Sequence, residues 1–229
     1  IIFGPTEMSF PTYEWLCQMS QTIGIKDTTF CADRFPFDLQ NRTVAGQFSA
    51  HIWTAIYAGF VIAFPYVLYQ LWRFISPGLK PNERKTSRGF IVIASLLFFI
   101  GVLFGYYVIT PLSFNFLANY SISVKVDNQI DISSYIGLVR ASVLASGLIF
   151  ELPIIIYFLT KVGLVTPEFL KKYRKYALVI VLILSAIITP PDIASQIIVA
   201  IPILVLYQVS IYISKLVIKG QRKKAKAHV

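Results

Sequence analysis

Five stretches of this chain carry almost no charge, and clusters of Lys and Arg stand at alternate gaps between them. His51 and Arg73 bracket 21 uncharged residues, 52–72, and Gly89 to Ile109 adds another 21. Ala141 to Thr160 gives 20 residues broken only by Glu151. Tyr176 to Thr189 is a shorter run of 14, stopped by Pro190-Pro191-Asp192, and 193–214 then runs uncharged to Lys215. A helix needs about 20 apolar residues to cross a hydrocarbon core of about 30 Å. The chain therefore reads as an all-α, polytopic membrane protein with five spans. Composition agrees: 56% of the 229 residues are hydrophobic and 14% charged, and mean hydropathy is +0.67, against about 45–50% apolar and about 25% charged in soluble domains.

The basic residues set an orientation. Segments 73–88 and 161–175 hold five each and the tail from 215 holds six, which is 16 of the 21. The segments on the other side, 1–51, 110–140 and 190–192, carry eight of the 11 acidic residues. Lys and Arg mark cytoplasmic loops, so residues 1–50 are expected outside as a structured cap. Residues 51–218 form the membrane domain, and 219–229 a basic cytoplasmic tail. Clustering between apolar runs accounts for the net charge of +10 without nucleic acid. The start, Ile1-Ile2-Phe3-Gly4-Pro5, reads as the end of a helix whose body precedes it. Cys17 and Cys31 lie in the outer segment, an oxidising setting, where a disulfide and two unpaired thiols both fit.

Fourteen residues at about 1.5 Å each reach about 21 Å, so the last two spans are expected to be short around the turn 189–192. Pro65, Pro153 and Pro202 interrupt three spans. Proline deletes a backbone donor and kinks a helix, which predicts concave walls. Glu151 sits near mid-span, where a charge is costly and usually faces a cavity or a partner. Arg140, eleven residues earlier, shares its helix face but lies too far to touch it, and is expected to reach for head groups. No metal-ligand spacing, nucleophile elbow or phosphate loop is present, and nothing points to an enzyme or a cofactor.

Several motifs carry a resemblance. Phe64-Pro65-Tyr66-Val67-Leu68-Tyr69-Gln70-Leu71-Trp72-Arg73-Phe74-Ile75-Ser76-Pro77-Gly78-Leu79, then Glu83-Arg84, resembles the second helix and first cytoplasmic loop of the TatC family, the receptor subunits of the twin-arginine protein translocase. Gly101, Phe104, Tyr106 and Pro111 resemble its third helix and Phe150-Glu151-Leu152-Pro153 its fourth. Arg174-Lys175-Tyr176, Thr189-Pro190-Pro191-Asp192 and Ser195-Gln196 resemble its last two. The resemblance implies six helices with both ends cytoplasmic, of which five are here. The family's N-terminal glutamate has no counterpart, and Gln208 stands where many members carry glutamate.

It further implies binding of twin-arginine signal peptides on folded cargo. It implies recruitment of single-span TatA- and TatB-type subunits in a multimeric complex of the bacterial inner membrane, driven by the proton-motive force. Signal-peptide contacts then fall to Glu83, Phe74, Pro77, Leu79 and Arg84, an intramembrane polar site to Glu151, and partner-helix contacts to Thr189, Gln196 and Asp192, with membrane lipids around. Paired guanidinium groups seek carboxylates, which suits Glu83, although Lys80, Arg84, Lys85 and Arg88 in the same loop repel a basic peptide. A rival reading is a proton- or ion-coupled transporter with Glu151 as its coupling site. Broken helices favour it; the lack of an internal repeat and of a second membrane carboxylate does not.

Overall fold

The computed structural model of the chain describes residues 2–23, 31, 39–75, 87–121, 123, 129–188 and 193–226. Helices dominate it. A 3-10 turn at Gly4–Thr6 leads to α1 (Pro11–Ile23), a two-residue strand β1 (Leu39–Gln40) and the long α2 (Gly46–Ile75). Next come α3 (Ser87–Phe104), a π-helical segment (Gly105–Ile109) and α4 (Thr110–Asn119), stacked without a break. Strand β2 (Ile130–Asp131) opens into α5 (Ile132–Phe150), and α6 (Leu152–Val162) continues it beyond Glu151. The chain ends in α7 (Pro167–Lys172), α8 (Arg174–Ile188) and α9 (Ile193–Lys226).

Among the described residues, four stretches are long and apolar enough to cross a membrane: Gly46–Phe74, Ile91–Asn119, Ile132–Val162 and Gln196–Gln221. The remaining expected span, the fourth in chain order, corresponds to α8, whose 15 residues extend about 22 Å, short of a 30 Å core as the sequence predicts. The expectation that the last helix is short as well is overturned, because α9 runs for 34 residues. An uncharged run measures what lipid accepts, whereas Lys, Arg, Gln and Ala beyond Lys215 are good helix formers in water. The third long span likewise begins at Ile132 rather than 141. Asp131 caps it by accepting from the Ser133 N–H at 3.0 Å, and Arg140 lies within the helix instead of ending it.

The helices meet through small residues. A Cβ on Gly105 would come within 2.7 Å of the Ser142 carbonyl, and one on Gly101 within 2.8 Å of the Ser146 carbonyl. Gly147 has the mirror constraint, with a Cβ there 2.8 Å from the Phe98 ring. The α3–α5 crossing is thus a small-residue contact in which backbones approach closely, the means by which helices gain packing energy in lipid. Phe98 in turn stacks on Phe64 at 3.5 Å between centroids, which joins α2 to the pair.

The π segment follows from a proline. Pro111 has no N–H for the Tyr107 carbonyl, and a freed carbonyl in a membrane span needs another donor. The Thr12 hydroxyl of α1 supplies it, while Thr110 donates its own hydroxyl to the Gly105 carbonyl at 2.9 Å. The buried Tyr13 hydroxyl lies 2.9 Å from the Pro111 carbonyl and 3.0 Å from that of Pro5. Burial raises its pKa, so it stays a neutral donor. α1 is therefore bolted onto the second span, and a Cys17–Cys31 disulfide closes the loop that follows it. β1 and β2 pair in parallel, Leu39 with Ile130 and Gln40 with Asp131, and the Arg42 guanidinium donates to the Gln129 side chain at 3.0 Å.

Candidate membrane-embedded recognition site

Glu151 is the hinge of the third span. It ends α5 and precedes α6, and Pro153 cannot supply the N–H that would carry the helix smoothly across. Its own carbonyl accepts from Ile154 and Ile155, both at 3.0 Å, which starts α6. The side chain is 5% exposed, and both carboxyl oxygens are closed off with no hydrogen-bond partner among the described residues. The sequence placed this carboxyl on a cavity wall, but here it lies within the helix packing. The cause is visible in its neighbours. Ile149 and Leu152 pack onto a buried cluster of Ile109, Val181, Val199, Ala200 and Ile203, and Phe150 packs against Phe104 with ring centroids 5.5 Å apart. These contacts draw the junction inward against α8 and α9.

Gln196 enters at the same level. Its side-chain amide donates to the Leu182 carbonyl at 3.0 Å, and Leu182 belongs to the same cluster. Glu151 and Gln196 thus border one apolar core contributed by the π segment, α5, α6, α8 and α9, although no hydrogen bond joins them among the described residues. Thr189 and Asp192, the other expected partner contacts, lie outside the described residues. So do Pro77, Leu79, Glu83 and Arg84 of the expected signal-peptide loop. Phe74 is described: it is 84% exposed at the end of α2, two residues beyond Trp72, whose ring lies tilted against Phe158 with centroids 4.9 Å apart. Gln208 faces outward from α9.

Residues 2–202 match the family described as Sec-independent protein translocase protein (TatC). The chain belongs to the TatC family. The TatC protein of Blattabacterium sp. subsp. Periplaneta americana is 44% identical over 214 residues, 93% of this chain and 80% of that protein. TatCy of Bacillus subtilis is 40% identical over 173 residues, 76% of this chain and 68% of its own length. The fold is similar to a crystal structure of TatC described as a twin arginine translocase receptor. The TM-score is 0.66 at 32% identity, over 90% of this chain and 89% of that one. The chain is accordingly a membrane-embedded component of a protein translocase, and transport is its business rather than bond-breaking catalysis.

Within this TatC fold, some polar positions escaped sequence reasoning. Ser142 and Ser146 are buried at the Gly101–Gly105 crossing with no partner for their hydroxyls among the described residues. Thr160 of α6 hydrogen-bonds Ser214 of α9 at 2.9 Å, and the Tyr207 hydroxyl donates to the Leu170 carbonyl at 2.8 Å. The spacings Gly101-x3-Gly105 and Ser142-x3-Ser146 were available as a signal, since small residues four apart mark a helix-pairing face. The two hydroxyl contacts lie 54 and 37 residues apart in sequence, and nothing local announces them.

Proposed function

We propose that this chain is the signal-peptide receptor and core subunit of a twin-arginine translocase in a bacterial inner membrane. In this reading five helices cross the bilayer, with residues 1–50 outside, 51–218 as the membrane domain and 219–229 as a cytoplasmic tail. The segment after α2 takes the signal peptide. Glu83 receives the paired arginines in a bidentate contact, and Phe74, Pro77 and Leu79 offer apolar contact beside it, with Arg84 restricting the approach. The observation that carries this is the match over residues 2–202, joined to a fold shared with a protein described as a twin arginine translocase receptor. The exposure of Phe74 at the mouth of that segment is consistent with it.

The shared core below Glu151 and Gln196 is the proposed seat of single-span TatA- and TatB-type subunits, with Thr189 and Asp192 as further proposed contacts and the proton-motive force driving their assembly. An inserted helix bearing one polar residue would satisfy the carboxyl of Glu151 when it parts α6 from α8 and α9. The deciding experiment is photocrosslinking of a twin-arginine signal peptide to the full-length protein in native membranes. Glu83→Gln is expected to lower the crosslink by about tenfold, the loss of one charge-assisted contact. Unchanged crosslinking and export in that variant would remove Glu83 from the site.

A further inference from the structure

Helix α1 is fastened at its start by packing and further along by a covalent bond. Its first turn is held on the second span. The Thr12 hydroxyl donates to the Tyr107 carbonyl, and the Tyr13 hydroxyl lies 2.9 Å from the Pro111 carbonyl. Phe10, just before the helix, stacks on Tyr107 with centroids 5.5 Å apart. Beyond Tyr13, Trp15 and Met19 are exposed, and there the disulfide joins Cys17 to Cys31 across a sequence separation of 14. α1 has 13 residues, a length at which a helix is marginal in water by itself. A cross-link closing a ring of about 15 residues disfavours the open chain by a factor of about a hundred. The disulfide therefore governs how firmly the second half of α1 is formed.

The bond is also set up for exchange. Cys31 is exposed and Cys17 half-buried, so an incoming thiolate meets the Cys31 sulfur first and Cys17 is the leaving group. Gln21, one turn beyond Cys17, directs its side-chain amide at both sulfurs, 3.4 Å from Cys17 Sγ and 4.0 Å from Cys31 Sγ. A hydrogen-bond donor beside a sulfur favours its thiolate, and a stabilised thiolate leaves faster. The start of the helix carries the effect inward. Thr12 supplies the donor that Pro111 withholds from the Tyr107 carbonyl, so it supports the π segment, and Ile109 of that segment packs in the cluster with Val181 and Val199.

We propose that Cys17–Cys31 is a reversible redox switch, worked by a thiol–disulfide oxidoreductase on the extracytoplasmic side in the orientation given above. Its reduction loosens α1 and, through Thr12 and Tyr13, the π segment of the second span. A thiolate of the reduced oxidoreductase attacks Cys31 Sγ and forms a mixed disulfide there. The Cys17–Cys31 bond breaks, and its electron pair goes to Cys17 Sγ, which then takes up a proton. The reductant's second thiol attacks its own sulfur in the mixed disulfide, which releases Cys31 as a thiol and leaves the reductant as a disulfide. The protein gains two electrons and two protons and the reductant loses them, and an oxidised oxidoreductase runs the same steps backwards. This switch does not depend on signal-peptide or partner binding.

Hydrogen–deuterium exchange of the oxidised full-length protein in nanodiscs, before and after dithiothreitol without denaturant, tests it. Thiol alkylation read by mass spectrometry is expected to find Cys17 and Cys31 both reduced in the native protein. Protection over Gln18–Thr22 should then fall about a hundredfold, and protection at Tyr106 and Tyr107 should fall with it, while α9 is unchanged. Oxidised glutathione should restore both. Gln21→Ala should slow the reduction, because the departing Cys17 thiolate loses its donor. The double variant Cys17→Ser, Cys31→Ser should exchange like the reduced protein and ignore dithiothreitol; if it fails to fold, reduction of the wild type decides alone. A disulfide that yields only to denaturant would overturn the proposal. So would full reduction with unchanged protection at Gln18–Thr22 and Tyr107, a loss of protection that includes α9, or free thiols at both positions in wild type isolated under oxidising conditions. An unchanged rate in Gln21→Ala would overturn the part given to its amide.

Discussion

At the residue scale, the carboxylate inside the third span and the one that caps its start are held in opposite ways. Glu151 is buried and its oxygens have no hydrogen-bond partner among the described residues, so it weakens the packed state: an unsatisfied buried polar group costs roughly 1–3 kcal/mol. Glu151→Leu is therefore expected to leave thermal stability in detergent unchanged or higher by about that amount, while export of a twin-arginine cargo falls. A variant that loses stability and keeps full export would make Glu151 a packing residue. Asp131 is the reverse case. The Arg42 backbone N–H, followed by the backbone N–H groups of Ser133 and Ser134 and the Ser133 hydroxyl, holds its pKa below the usual carboxylate range. A depressed pKa stabilises the fold above the unfolded value and loses that contribution as pH falls through the folded one. Hydrogen-exchange protection at the β1–β2 pair, taken relative to the intrinsic rate at each pH, should thus fall on acidification below the ordinary carboxylate pKa, and Asp131→Asn should flatten that profile. A profile identical in the variant would show that Asp131 does not govern the pairing. Glu151 was legible because an ionisable residue in an apolar run is rare. Asp131 was not, since its partner Arg42 is 89 residues away.

Among the elements, charge-free runs located the helices and misjudged their ends. Residues 52–72 expanded to Gly46–Ile75 and 193–214 to Ile193–Lys226, because helix propensity and caps continue where lipid solubility stops. The π segment was out of reach for a different reason. Pro111 was visible, but the hydroxyl that compensates for it belongs to Thr12, 95 residues before the Tyr107 carbonyl it reaches. The α3–α5 crossing is the most exacting contact in the fold. A methyl at Gly105 would press on the Ser142 backbone at 2.7 Å, and backbone cannot rotate aside as a side chain can. Gly105→Val is expected to cost about 1–3 kcal/mol or more, the range for overpacking, read as a lower midpoint in thermal unfolding. Gly137→Val, where a Cβ meets nothing within 4 Å, is the control and should be near neutral. Equal effects at the two positions would mean that the crossing is not set by close approach.

Taken as a whole, the molecule pairs long helices with one short one, and that mismatch has a mechanical consequence. α8 extends about 22 Å, some 8 Å short of an average hydrocarbon core, and it packs through Val181 and Leu182 on the cluster that includes Val199, Ala200 and Ile203 of α9. It cannot tilt to gain length, since tilting shortens its projection, so either the bilayer beside it thins or the end of α8 at Ile188 lies below the surface. The same cluster borders Glu151 and Gln196, so a thinned bilayer would lie next to the proposed partner seat. A TatC chain built this way should be most active in bilayers thinner than average. Reconstituted with its partner subunits in lipids of increasing acyl length, wild-type transport is expected to decline as the core thickens beyond about 30 Å. Inserting a turn of four leucines within α8 adds about 6 Å and should move the optimum toward thicker bilayers, at some loss of peak transport. The insertion also rotates the following residues by about 40°. A control with four leucines placed after Lys219, beyond the membrane-facing part of α9, separates added length from added hydrophobicity. If the α8 insertion left the thickness optimum where it was, the short helix would be a packing accommodation and membrane thinning would have no part in transport.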